Sequence, residues 1–145
     1  MVLYLFKNII SYVIIKNTRG DFMFSNLIKK LENEHVDYDL TGNSIGFEIM
    51  LCDSEIQCEF SYDEENNAIR FYTELMDFNG EAFKDGLDLA NSINYNSIFL
   101  KAYLDDEYYL CAEYYISGKN NLTNEVIDNI LADLADMAEL ISEYI

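Results

Sequence analysis

Between residues 44 and 76 the chain alternates apolar and polar side chains three times in succession, and this pattern constrains the fold more than any other feature. Ile45, Phe47, Ile49 and Leu51 alternate with Gly46, Glu48, Met50 and Cys52. Ile56, Cys58, Phe60 and Tyr62 alternate with Gln57, Glu59 and Ser61, and Ile69, Phe71, Thr73 and Leu75 with Arg70, Tyr72, Glu74 and Met76. Successive side chains of an extended strand point to opposite faces, so each run has one face to bury and one to leave in water. Asp53-Ser54 and the run from Asp63 to Asn67 separate them and are turn-formers. The pattern predicts a three-stranded antiparallel meander.

The flanking segments keep a helical period. In residues 24–35, Phe24, Leu27, Ile28 and Leu31 fall at i, i+3, i+4 and i+7, with Ser25 as the expected N-cap. Residues 80–94 read as a second helix with Phe83, Leu87, Ala90 and Ile93 inward. A hairpin follows, in which Ile98, Leu100, Ala102 and Leu104 pair with Leu110, Ala112, Tyr114 and Ile116 around Asp105-Asp106-Glu107. A last helix opens at Thr123 and carries Ile127, Ile130, Leu131, Leu134, Met137, Ala138 and Ile141 on one side, continuing to Tyr144 and Ile145. Asp128, Asp133, Asp136, Glu139 and Glu143 are expected on its solvent side, and no Lys or Arg follows Lys119 to compensate its C-terminal dipole. The order is α-βββ-α-ββ-α. It predicts a single α+β domain, an antiparallel sheet with its helices mainly on one face.

Charge divides the chain unevenly. Residues 1–35 hold five basic and three acidic side chains, a net of +2, whereas residues 36–145 hold four and twenty-four, a net of −20. The total of −18 in 145 residues repels phosphate backbones, so nucleic acid is a poor partner. Half the residues are hydrophobic, too many for a disordered acidic tail. Residues 1–22 form an apolar extension, and Met23 opens residues 23–145 as the folded domain, with Met23 an alternative natural start. The first fifteen residues reach about 22 Å as a helix, short of the roughly 30 Å of a bilayer core. Lys16 and Arg19 follow this run where a secretory signal wants its charge in front. No membrane span is expected. Three cysteines, Cys52, Cys58 and Cys111, read as buried free thiols of a cytoplasmic protein; the spacing of Cys52 and Cys58 matches no zinc motif.

Residues 89–131 (LANSINYNSIFLKAYLDDEYYLCAEYYISGKNNLTNEVIDNIL) carry a resemblance. The spacing of Asn91, Asn94 and Asn96, the strand from Lys101 to Asp105, the acidic-apolar strand after it and the Leu122-Thr123 opening of the last helix resemble the YbjN-like family, whose fold is that of type III secretion chaperones. Residues 24–88 agree in element order alone, residues 1–22 fall outside, and the family's Trp-Asn step is absent from a chain without Trp. The resemblance implies a small α+β domain, often dimeric, that acts as a regulator or chaperone-like binder rather than an enzyme.

Little in the sequence points to catalysis. His35, the only histidine, ends the first helix with no nucleophile beside it. Residues 37–48 place Asp37, Asp39, Thr41, Gly42 and Glu48 at positions 1, 3, 5, 6 and 12 of a calcium-loop frame. Ser44 and Ile45 break that frame at positions 8 and 9, and the exit alternates as a strand, so weak calcium binding is the most it offers. The glycines are scattered and form no phosphate loop. No cofactor, metal or catalytic residue is expected.

The more informative feature is the second face of the sheet. With helices over Leu100, Ala102, Leu104, Leu110, Ala112 and Tyr114, the other face is expected to show Phe99, Tyr103, Tyr109, Cys111 and Tyr115, joined by Tyr72 and Met76. Tyr and Met suit adaptable interfaces, and an aromatic strip rimmed by carboxylates suits a protein partner. Two functions follow: a homodimeric protein-binding module of regulator or chaperone type, or a small acidic immunity-type protein whose carboxylates block a basic toxin.

Overall fold

The computed structural model describes residues 22–51, 53–78 and 82–144. The apolar N-terminal segment, apart from Phe22, lies outside them, as do Cys52, Gly80 and Ile145. The elements in chain order are α1 (Ser25–Asn33), β1 (Tyr38–Thr41), β2 (Ser44–Leu51), β3 (Ser54–Asp63), β4 (Ala68–Asp77), α2 (Phe83–Asn96), β5 (Lys101–Leu104), β6 (Tyr109–Ser117) and α3 (Asn124–Tyr144). The strands form one six-stranded sheet in the order β1-β2-β3-β4-β6-β5, antiparallel throughout. The fold is the expected α+β domain with one strand more than the periodicity predicted.

That strand is β1. It pairs with β2 through Thr41↔Ser44, leaving Gly42-Asn43 as a two-residue turn with Gly42 at φ +56°, a conformation glycine adopts without steric cost. The calcium-loop frame is therefore folded into a hairpin. Its position 12, Glu48, lies in the middle of β2 and accepts a hydrogen bond from Gln57.

Ile45, Phe47, Ile56, Cys58, Phe60, Ile69, Phe71 and Thr73 are all buried, so the meander's apolar face is the one the alternation predicts. Phe47 stacks on Phe60 with ring centroids 6.2 Å apart, and Phe60 meets Phe71 at a tilt with centroids 4.9 Å apart, across three strands. Leu27, Ile28 and Leu31 of α1 and Ile127, Ile130, Leu134, Met137 and Ile141 of α3 close over this face. Thr123 caps α3, its Oγ1 accepting the Val126 N–H at 3.3 Å. Ser25 does not cap α1, which starts from Phe24 without a side-chain hydrogen bond.

The helix phase of α2 differs from expectation. It buries Gly86, Leu89, Ala90 and Ile93, while Phe83 and Leu87 are 45% and 39% exposed. A Cβ at Gly86 would stand 2.9 Å from Leu104 Cδ1 and 3.0 Å from Phe78, so the bare backbone of the glycine is what meets β5. Asn94 completes that contact. Its side chain donates to the Ala102 carbonyl at 2.8 Å and accepts the Ala102 N–H at 2.7 Å, sealing the edge of β5 as a neighbouring strand would.

Asp133 is the other departure. Expected on the solvent side of α3, it is 6% exposed, and its Oδ2 accepts the N–H groups of Phe99 and Leu100 at 2.7 and 3.0 Å.

Candidate functional site

The register places the polar partners of the buried rows on one open face. One row crosses the whole sheet: Asp39, Gly46, Glu59, Tyr72, Glu113 and Lys101 lie on successive strands. A second row runs Thr41, Ser44, Ser61, Arg70, Tyr115, and a third brings Glu74, Cys111 and Tyr103 together. The tyrosines belong to β4, β6 and β5, whereas β1 to β3 present carboxylates. The face is thus aromatic on one half and acidic on the other.

Arg70 organises the aromatic half. Its Nε and Nη2 donate to Glu113 Oε2 at 3.0 and 2.8 Å, and its guanidinium carbon lies 4.4 Å from the Tyr72 ring centroid. Nη2 also reaches the Tyr103 hydroxyl at 3.4 Å. One cation therefore touches Tyr72, Tyr103 and Glu113 on three strands, and Tyr115 is its directly paired residue on β6. Burial opposes the charge on Arg70, but the adjoining carboxylate outweighs it and holds the guanidinium ionised.

On this half of the face three phenols and one thiol are shifted away from ionisation. The Tyr72 hydroxyl lies 3.1 Å from Glu74 Oε1, to which it donates, and 3.3 Å from Cys111 Sγ. Burial, with those two neighbours, pushes the Tyr72 phenol far above its ordinary value. Burial likewise raises Tyr103 and the Cys111 thiol, and the Asp77 carboxylate raises Tyr109. A nucleophilic thiol needs the reverse, a stabilised thiolate.

Four of the six residues expected here are on this face: Tyr72, Tyr103 and Tyr109, half-buried, and Tyr115, 55% exposed. Met76 is not. The register shifts between Glu74 and Met76, so a bulge turns Met76 to the helix-covered side, opposite buried Leu110. Phe99 is not either, because its N–H is drawn to Asp133 and its ring meets Tyr114 edge-on at 5.9 Å. The residue that sequence reasoning missed is Arg70. Its signal was present, since a lone basic residue alternates there with core positions between strands rich in carboxylates. His35 lies two residues beyond α1, at φ +58°, and is exposed. Among the described residues, no group of three His, Cys, Asp or Glu side chains is arranged to hold a metal ion. No described helix is long and apolar enough to cross a membrane.

Among the described residues, the antiparallel six-stranded sheet with helices over one face is a small α+β fold of the type III secretion chaperone-like kind. The chain belongs to the YbjN family, described as "Putative bacterial sensory transduction regulator", whose model matches residues 25–145. A chain of the HopA1–SchA chaperone–effector complex is similar over 85% of this chain and 94% of its own, at 12% identity and a TM-score of 0.56. The Yersinia pestis type III secretion chaperone SycH, solved with a stable fragment of YscM2, matches over 80% and 96%, at 11% identity and a TM-score of 0.50. YbjN from E. coli, described as "a putative transcription regulator", is 19% identical over 82% of this chain and 85% of its own, at a TM-score of 0.49. No curated protein matches the sequence.

Proposed function

We propose that this protein is a non-enzymatic, regulator- or chaperone-like binding module that holds a segment of another protein against the open face of its sheet. The observation that carries this is the cluster of Tyr72, Tyr103, Tyr109 and Tyr115 on a face that no described helix covers, fixed by Arg70. Tyrosine offers a large apolar surface with few rotatable bonds and a polar tip, which is what adaptable recognition uses. No bond is made or broken; apolar burial at about 25 cal/mol/Å² supplies affinity and the surrounding carboxylates guide approach. Family membership supports the regulatory part of this reading, and the likeness to chaperones solved with bound proteins supports the binding part. The setting we infer is cytoplasmic, which the free thiols of Cys58 and Cys111 suit, and the working form is a homodimer. Phe83, Leu87 and Tyr108, three of the exposed apolar residues in and beside α2, are the ones that a second copy would cover.

With a partner in hand, calorimetric titration of Tyr103→Ala and Tyr115→Ala separates this function from an immunity-type one. Each anchor is expected to weaken binding by about 2 kcal/mol or more, with modest salt dependence. Asp106→Asn with Glu107→Gln, both exposed in the β5–β6 turn, are expected to change it little. The opposite ranking with steep salt dependence would favour carboxylates blocking a basic toxin.

A further inference from the structure

The chain enters the domain at the end of the sheet nearest Arg70 and Tyr115. Phe22, 82% exposed, borders a cavity of about 430 Å³ together with Asn43, Tyr62 and Asn120. Asn43 precedes Ser44 and Tyr62 follows Ser61, and Ser44, Ser61, Arg70 and Tyr115 form one row of the open face. Whatever precedes Phe22 therefore joins the domain close to that row. The exposed pair Phe83 and Tyr108, by contrast, lies at the opposite end of β6.

Residues 1–21 have the chemistry this face matches. Twelve of them are Met, Val, Leu, Ile, Phe or Tyr, and Lys7, Lys16 and Arg19 against Asp21 give a net charge of +2, facing −20 in residues 22–145. Their order matches as well. Counting back from Phe22, Arg19 and Lys16 come first, and the mostly apolar run from Ile15 to Ile9 follows. Across the sheet, β1 to β3 offer Asp39, Glu48 and Glu59 first, and β4, β6 and β5 then offer the tyrosines. Three strand spacings from Ser44 to β6 are about 14 Å, and the run from Tyr115 to Tyr109 adds about 20 Å. Twenty-one residues reach up to about 70 Å. Attachment makes the encounter intramolecular, at an effective concentration on the order of mM, so contacts too weak to hold a free peptide suffice.

We infer that residues 1–21 occupy the open face of their own chain, with Lys16 and Arg19 toward the carboxylates of β1 to β3 and residues 9–15 on the tyrosines, and that a partner segment binds by displacing them. This rests on the proposed function for the binding surface and adds its regulation. The partner competes with a tethered, basic and apolar occupant for the same four tyrosines.

The test places a photo-crosslinking benzophenone amino acid at Tyr115 of the purified full chain, with Glu139 on α3 as the comparison position. After irradiation and proteolytic digestion, mass spectrometry is expected to find position 115 joined to a peptide from residues 1–21, and position 139 not. In an equal mixture of isotope-labelled and unlabelled protein, the joined peptides are expected to carry the same label, because the contact lies within one chain. Ile10→Glu with Ile14→Glu puts carboxylates where the tyrosines want apolar groups and is expected to lower the crosslink yield about tenfold or more. Lys16→Glu with Arg19→Glu is expected to lower it about threefold or more. Lys29→Glu with Lys84→Glu, both exposed, makes the same change in net charge elsewhere and is expected to stay within about twofold. Equal loss in that control would mean that the contact follows net charge, and the inference fails. It also fails if position 115 joins another segment, joins residues 1–21 of a differently labelled copy, or joins nothing. The proposed function is read separately, from loss of partner affinity on Tyr103→Ala and Tyr115→Ala, and stands or falls independently of these outcomes.

Discussion

Asp133 Oδ2 sits 3.0 Å from the backbone nitrogen of Leu100, and the same oxygen takes the N–H of Phe99 at 2.7 Å. The chain between α2 and β5 thus has its two amides satisfied by a carboxylate from α3, on the far side of the sequence. Asn94 does the same for Ala102 one step later. Together the two side chains do for β5 what another strand would do, and they leave the open face as the large uncovered surface of the sheet among the described residues.

Asp133→Ala is expected to destabilise the fold by about 2–4 kcal/mol in urea, because each buried N–H left without an acceptor costs roughly 1–3 kcal/mol. Asp136→Ala, exposed one turn along, should stay within about 0.5 kcal/mol. Leu134→Ala, fully buried beside it, should cost about 2–5 kcal/mol. Equal midpoints for Asp133→Ala and Asp136→Ala would show that the carboxylate does not hold the β5 segment.

Asn94→Ala should both weaken the fold, by about 1–3 kcal/mol, and uncover a strand edge that templates association. Sedimentation velocity of the variant should show larger species growing with concentration. A sample that stays in the parent's oligomeric state would argue against the edge-sealing role.

Cys58 offers a test by pH. Burial raises its thiol from 9.0 to about 11, opposed by its contact with Thr73 Oγ1. The folded thiol keeps its proton where the unfolded one loses it, so between these values the folded state binds more protons. Stability should be fully present below about pH 9 and fall as pH rises toward 11, by at most about 2.7 kcal/mol from this group. Native protein at pH 8 should resist a thiol-alkylating reagent at Cys58, and Cys58→Ala should flatten the decline between pH 9 and 10. Rapid alkylation of the folded protein at that position would contradict its burial.

Much of this architecture can be read from the residues, and the failures have physical causes. Period-two alternation marks β2, β3 and β4 because each has one dry and one wet face. β1 is missed because Tyr-Asp-Leu-Thr is too short and acidic to stand out, although the Gly42-Asn43 turn announces a hairpin. The phase of α2 is misjudged because Gly86 is a core position at which the contact needs no side chain, which leaves the larger Phe83 and Leu87 outside. Met76 is misplaced by a bulge, which alternation cannot foresee. Asp133 is misread because burial of a carboxylate depends on amides more than thirty residues away in the chain. Four tyrosines of the site follow from strand parity alone; Arg70 stands out in the sequence as a lone base, but its link to them needs the pairing of β4 with β6 and of β6 with β5.

Calcium should leave the protein unchanged. A site filled at about 100 times its Kd would add about 2.7 kcal/mol and raise the melting temperature by several degrees. With residues 38–41 and 44–51 committed to a hairpin, differential scanning fluorimetry at millimolar calcium should show no such rise. A rise abolished by Asp39→Asn would overturn this.

The central claim is that the open face of the sheet is where a partner protein sits. A photo-crosslinking benzophenone amino acid placed at Tyr115, 55% exposed on that face, tests it inside the native host, with Glu139 on the outer side of α3 as the comparison position. Irradiation should give a discrete adduct at position 115 and none at 139, with a mass that differs from twice the 16.9 kDa chain. An adduct only at position 139, or one at 115 whose mass is that of two copies of this chain, would take the partner away from the tyrosine face.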